Sequence, residues 1–212
     1  AAALGMRNLL FLTGDDPKAG DQPDAKPVFD LDSRTLIETA NRLRGERRLP
    51  TGTEIKGEAP FTLGAADMPI DPALGWEPKA LMAKIAAGAE FAQTQFCMDI
   101  GIVRRYAARL VELGVAPKLG LLIGVAPIPS ARSARWMREK LFGTKISDDI
   151  VARLEQADDP RAEGQKICVE LLQQLAEIPG VAGAHIMAPQ SHSVIPAVIT
   201  ASGVVGRRRA RV

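Results

Sequence analysis

Five short apolar runs, at residues 8–13, 61–66, 91–97, 119–125 and 181–187, are separated by stretches long enough to hold helices. That alternation limits the fold more than any other feature of the chain. Parallel strands need crossover connections of a dozen residues or more, and helices usually fill them. The expected class is therefore α/β, with a parallel sheet flanked by helices. Two closures meet the pattern: an open doubly wound sheet, or the later five units of a (β/α)8 TIM barrel. No Gly-x-Gly-x-x-Gly follows a run and no Gly-x-x-x-x-Gly-Lys-Ser/Thr occurs, so the phosphate fingerprints of the common doubly wound folds are missing. Residues 1–6 read as the last turn of a helix, with three alanines and Leu4 ahead of Gly5 at a stop position. A chain rarely starts in mid-helix. This favours the barrel, with its N-terminal strands preceding Ala1, residues 1–206 as a partial barrel domain and 207–212 as a basic tail.

The first run, Asn8 to Leu12, leads directly into Thr13-Gly14-Asp15-Asp16-Pro17. It reads as a strand buried on both faces that ends abruptly in a polar loop. Parallel α/β folds bind ligands where strands end, so Thr13, Gly14 and Asp15 are placed for chemistry. The connection from Gly14 to Asp32 is long and rich in Asp, Pro and Gly, as functional or disordered loops are. Ser33 is then expected to cap a helix carrying Leu36, Ile37, Ala40 and Leu43 inward, with the charged residues 42–48 as solvated surface. The second run ends at Asp67-Met68-Pro69, and a helix follows over 77–87. In the third, an amide such as that of Gln95 is costly to bury without a partner. Neighbouring backbone or a polar active-site end would each satisfy it. Further helices are expected from about 102 to a stop at Gly114, and over 130–141, 147–156, 160–178 and 191–200, the first of these four following the rigid turn 126–130.

Composition removes several classes. The formal charge is +2, yet four arginines, Arg207, Arg208, Arg209 and Arg211, lie in the last six residues, so the remainder is net acidic. With aromatic residues at 4%, stacking platforms for bases are scarce and nucleic-acid binding is set aside. Cys97 and Cys168 lie far apart in the sequence and only two histidines, His185 and His192, are present, so no metal site or disulfide framework is expected. A reducing cytoplasm fits that usage. No apolar run is long enough to span a membrane.

Taken together, five segments resemble the methylenetetrahydrofolate reductase family, a group of flavin-dependent (β/α)8 barrels. They are Asn8 to Asp15; Phe29-Asp30-Leu31-Asp32-Ser33; Ala87 to Phe91 leading into Thr94-Gln95-Phe96-Cys97-Met98-Asp99; Pro127-Ile128-Pro129-Ser130; and Gly180 to Met187. Their order and spacing place the chain on barrel strands four to eight. The resemblance implies an oxidoreductase of one-carbon metabolism, reducing methylenetetrahydrofolate to methyltetrahydrofolate with NADH or NADPH, usually through FAD. A non-catalytic folate-binding or scaffold protein of the same fold is the alternative.

By the same resemblance Asp15 is the catalytic carboxylate beside flavin and pterin. Gln95 and Ser130 fall at substrate positions. Thr13, Gly14, Asp15, Ala65, Ala66, Glu77 and Lys84 fall at cofactor positions. A carboxylate and an amide suit the donor-rich edge of a pterin, and a charge beside a flavin tunes its electronics. A Tyr-Pro-x-x-His stretch of many members is here Gly64-Ala65-Ala66-Asp67-Met68. The cofactor helix reads Glu77, Ala80, Ala83 and Lys84, and a folate-stacking aromatic of some members falls near Ala131. These departures predict weak or absent flavin affinity. The family's general acid, a glutamate on the first barrel strand, is expected ahead of Ala1. Folate is the expected partner, and self-association as a homo-oligomer is compatible with the reading.

Overall fold

A computed structural model of the chain describes residues 1–188 and 192–205. Five strands, β1 (Asn8–Phe11), β2 (Thr62–Asp67), β3 (Phe91–Phe96), β4 (Gly120–Val125) and β5 (Val181–Ile186), form one parallel sheet in sequential order. The expected strand positions and order are therefore observed. Seven α-helices are described: α1 (Ser33–Glu46), α2 (Lys79–Ala86), α3 (Ile100–Glu112), α4 (Ala131–Lys140), α5 (Asp148–Gln156), α6 (Pro160–Leu175) and α7 (Ile195–Ser202). No described helix is long and apolar enough to cross a membrane. The arginine tail and Ser191, the expected start of the last helix, lie outside the described residues.

The described residues divide into two compact units. The first comprises Ala1–Ala66 and Pro78–Ala92. In it β1 pairs with β2 in parallel, Asn8 opposite Thr62 and Phe11 opposite Ala65. Its core joins Ile37 and Ala40 of α1, Leu63 and Ala65 of β2, and Leu81 of α2, all buried. Asp32, rather than Ser33, caps α1: its carboxylate accepts from Thr35 N at 2.7 Å. An aspartate one residue ahead of the serine reaches the same orphan amides, and Ser33 becomes the first helical residue. Arg44 departs from the expected solvated face. Its guanidinium donates to Phe61 O, Asn41 Oδ1 and Glu90 Oε2, and Glu90 Oε2 also accepts from Leu63 N.

One burial expectation is overturned in this unit. β1 is not buried on both faces: Asn8 and Leu10 are exposed, and Leu9 and Phe11 only half-buried. The strand is the terminal one of the sheet and pairs only with β2, so the cover that a doubly buried strand needs is not supplied by the described residues.

The second unit holds Asp67–Glu77 and the residues from Gln93 onward. Here β4 pairs with β5, Gly124 opposite His185. Its core combines Ile123 and Val125 of β4 with Val103 and Tyr106 of α3, Leu154 of α5 and Ile167 and Cys168 of α6. The helices start on side-chain caps: Asp99 accepts from Ile102 N, Ser147 from Ile150 N, and Asp159 from Arg161 N and Ala162 N, with Pro160 in the first helical position. α6 ends at Leu175, three residues short of the expected Ile178, which is nevertheless buried. Glu77 is not part of α2, which begins at Lys79 after Pro78. A residue before proline is pushed out of the helical region, and that keeps Glu77 in the connection.

Candidate functional site

The candidate residues fall at or beyond the carboxyl ends of strands, where parallel α/β sheets present ligand sites. In the first unit, Thr13, Gly14 and Asp15 follow β1. All three are exposed, and no described residue pairs with the Asp15 carboxylate. Thr13 Oγ1 accepts from Ser33 N at 2.9 Å, which ties the start of the long loop to the start of α1. Ala65 and Ala66 lie near the end of β2, Ala65 buried and Ala66 half-buried. Lys84 reaches back from α2, and its Nζ donates to Ala66 O at 2.7 Å. Ala80, in the first turn of the same helix, and Ala83 carry no polar side chain. Gly64, just ahead, lies directly under the Phe91 ring, which occupies the space a Cβ would need.

In the second unit, the Gln95 amide bonds to backbone on both its nitrogen and its oxygen. Its Nε2 donates to Phe142 O at 3.1 Å and its Oε1 accepts from Phe96 N at 2.9 Å. One amide N–H and one acceptor lone pair of Gln95 remain uncommitted by these bonds. Ser130 caps α4: its Oγ accepts from Ser133 N at 3.1 Å and shares a 3.0 Å hydrogen bond with Ser133 Oγ. Glu77 is exposed.

Four residues not singled out for the site, Asp67, Tyr106, Thr94 and His185, lie at or against strand ends of the second unit. Asp67, the last residue of β2, accepts from Tyr106 OH at 2.5 Å, and the Tyr106 ring leans on Trp76 with centroids 5.6 Å apart. Burial first, and the Asp67 carboxylate second, hold the Tyr106 phenol far above its ordinary pKa. Thr94, almost fully buried on β3, accepts from Gly124 N and donates to Gln95 O, each at 2.9 Å. A lone tyrosine on the buried face of an amphipathic helix was the available signal, because a buried phenol needs a partner. On β5, His185 Nδ1 is buried without a hydrogen-bond partner among the described residues, and desolvation lowers the pKa of the ring.

A sequentially ordered parallel sheet with polar candidates at its carboxyl ends defines the class: an α/β protein built from consecutive strand–helix units. The family model for methylenetetrahydrofolate reductase matches residues 1–203, and the chain belongs to that family. A solved structure described as an uncharacterized protein from Clostridium thermocellum that binds two copies of 5-methyl-5,6,7,8-tetrahydrofolic acid is similar to it. The TM-score is 0.55 and the identity 15%, with 92% of this chain and 70% of that chain covered. At this identity the likeness is one of fold. No curated protein sequence matches the chain.

Proposed function

We propose that the chain binds a reduced folate and contributes to its reduction, as a methylenetetrahydrofolate reductase-like oxidoreductase. The observation that carries this reading is the family match over almost the whole chain, and Asp15 supplies its chemistry. In the proposed reaction the N10–CH2 bond of methylenetetrahydrofolate opens to an N5 iminium and N10 takes a proton. Hydride from NADH or NADPH then adds to the iminium carbon, giving the N5-methyl group and oxidised nicotinamide. An exposed carboxylate at the end of a strand is suited to stabilise that transient cation and to pair with the donor edge of the pterin.

We infer that FAD is not the resident hydride carrier. A pyrophosphate and ribose need several donors and charges. In the first unit Ala80 and Ala83 offer none, which leaves the Thr13 hydroxyl hydrogen and the two Lys84 N–H groups not bonded to Ala66 O as the side-chain donors at these positions, too few and with a single positive charge for a pyrophosphate and its riboses. The residues present do not fit that group, so no step is assigned to it. A non-catalytic folate-binding role is the second reading, favoured by the description of the Clostridium thermocellum protein as a binder of methyltetrahydrofolate.

Calorimetric titration with 5-methyltetrahydrofolate, together with NAD(P)H oxidation in the presence of methylenetetrahydrofolate, separates the two. Binding with turnover supports the reductase and binding without turnover the second reading. Absence of binding removes both. Stoichiometric flavin absorbance in the purified protein would overturn the inference on FAD.

A further inference from the structure

Phe142 is 86% exposed, the most solvent-accessible of the nine aromatic residues in the chain. A single exposed apolar side chain is ordinary on a mobile loop, but the backbone around this one is fixed from several sides within the second unit. Phe142 O accepts the Gln95 amide at 3.1 Å. Gly143, at φ 81, is packed so closely on Met68 that a Cβ there would meet the Met68 sulfur. Thr144 N donates to Leu141 O at 3.1 Å, closing a turn across Phe142 and Gly143. Two residues on, Lys145 continues the sheet pattern beside the end of β3: Lys145 N donates to Phe96 O at 2.9 Å and Met98 N to Lys145 O at 2.6 Å. A rigidly held segment thus delivers an aromatic ring into solvent at the carboxyl end of a parallel strand. The side-chain amide beside it still has one donor and one acceptor position to offer.

An exposed aromatic ring on a residue whose carbonyl meets a primary amide offers the two parts that recognise a planar heteroaromatic ring with a hydrogen-bonding edge: a face for stacking and an amide for the edge. We propose that Phe142 is a ligand-binding residue whose ring stacks on the pterin of a reduced folate while Gln95 contacts the pterin edge. This rests on the folate reading above and assigns to the 142–145 loop a binding role that the sequence did not suggest. Because the ring touches little of the protein, its removal acts on the ligand and not on folding. Pre-ordering of the loop by Gln95, Met68 and the Phe96–Lys145 bonds means that little ordering has to be paid on binding.

The test is a titration of the full chain and of Phe142→Ala and Phe142→Trp with 5-methyltetrahydrofolate and with a tetrahydropterin lacking the p-aminobenzoyl-glutamate tail. Phe142→Ala is expected to weaken both ligands about ten-fold at an unchanged thermal midpoint. Phe142→Trp is expected to retain affinity and to show ligand-dependent quenching of the new indole relative to the wild-type signal. Wild-type and Phe142→Ala proteins binding both ligands equally well would overturn the stacking role while leaving the folate reading intact. A tail-dependent effect, with methyltetrahydrofolate weakened and the tetrahydropterin not, would overturn the assignment to the pterin. Failure of the wild-type chain to bind either ligand would overturn the folate reading and the role of Phe142 with it.

Discussion

Tyr106 donates its hydroxyl hydrogen to Asp67 Oδ2 across 2.5 Å, tying the buried face of α3 to Asp67 within the second unit. The bond ends on a carboxylate, which makes it stronger than a neutral pair. Tyr106→Phe keeps the ring and its contact with Trp76 but removes the donor. It is expected to lower stability by about 1–3 kcal/mol. Urea unfolding near pH 7 measures this. A wild-type midpoint with a wild-type slope would show that the Asp67 carboxylate does not depend on the phenol.

Cys97 and Cys168 are buried, and desolvation pushes each thiol from 9.0 up to about 12. A folded-state pKa raised above the unfolded one means that folding holds the proton more tightly. That contribution is fully present below about pH 9 and is lost as pH rises toward 12. Each thiol should therefore lower stability by up to about 1.4 kcal/mol per pH unit within the window. Unfolding free energies at pH 8, 9 and 10 should fall progressively. Cys168→Ala should make the fall shallower, by an amount that grows toward one proton at pH 10, and an unaltered slope would place that thiol's titration outside this range.

Gly164 and Gly45 are both helical, and alanine should act on them with opposite signs. At Gly164 in α6 a Cβ would run into the Ile128 carbonyl, a backbone atom of the Pro127–Ser130 turn. At Gly45 in α1 such a Cβ would meet no neighbour within 4 Å among the described residues. Alanine gains up to about 1 kcal/mol in helix propensity at either position. Overpacking against rigid backbone costs about 1–3 kcal/mol and outweighs that gain only at Gly164. The expected result is a lower melting temperature for Gly164→Ala and an equal or higher one for Gly45→Ala. Two shifts of the same sign would contradict the packing at Ile128.

Strand positions and order were readable because apolar runs, small residues and helix-length crossovers repeat with local regularity. Caps at Asp99, Ser147 and Asp159 are likewise local, each acting on amides two or three residues ahead. Burial was not local: the run Asn8 to Leu12 has the same letters whether neighbours cover it or not, and only its terminal place in the sheet leaves Leu10 exposed. Nor were partners distant in sequence. Gln95 meets Phe142 across 47 positions and Tyr106 meets Asp67 across 39, separations for which side-chain periodicity holds no signal. Glu77 is a different case, since Pro78 was there to be read and forbids the helical start it was given.

Asp15 is the residue whose loss should separate folding from function most cleanly. It is exposed beside Gly14, and no described residue pairs with its carboxylate, so Asp15→Asn should change stability by no more than about 0.5 kcal/mol, as ordinary surface substitutions do. The amide is nearly isosteric but carries no charge. It can still pair with part of a pterin edge, and folate affinity should therefore fall less than turnover. What it cannot do is stabilise the iminium of the proposed reaction, and groups that stabilise transient charge of this kind commonly contribute about 100-fold or more to the rate. The measurement pairs thermal midpoint, affinity for 5-methyltetrahydrofolate and NAD(P)H-dependent turnover in the same preparation of wild type and variant. A large loss of turnover at a constant midpoint assigns Asp15 to the chemistry. An equal loss of affinity and turnover makes it a substrate-binding group alone, and a turnover change that tracks the midpoint returns it to a turn residue.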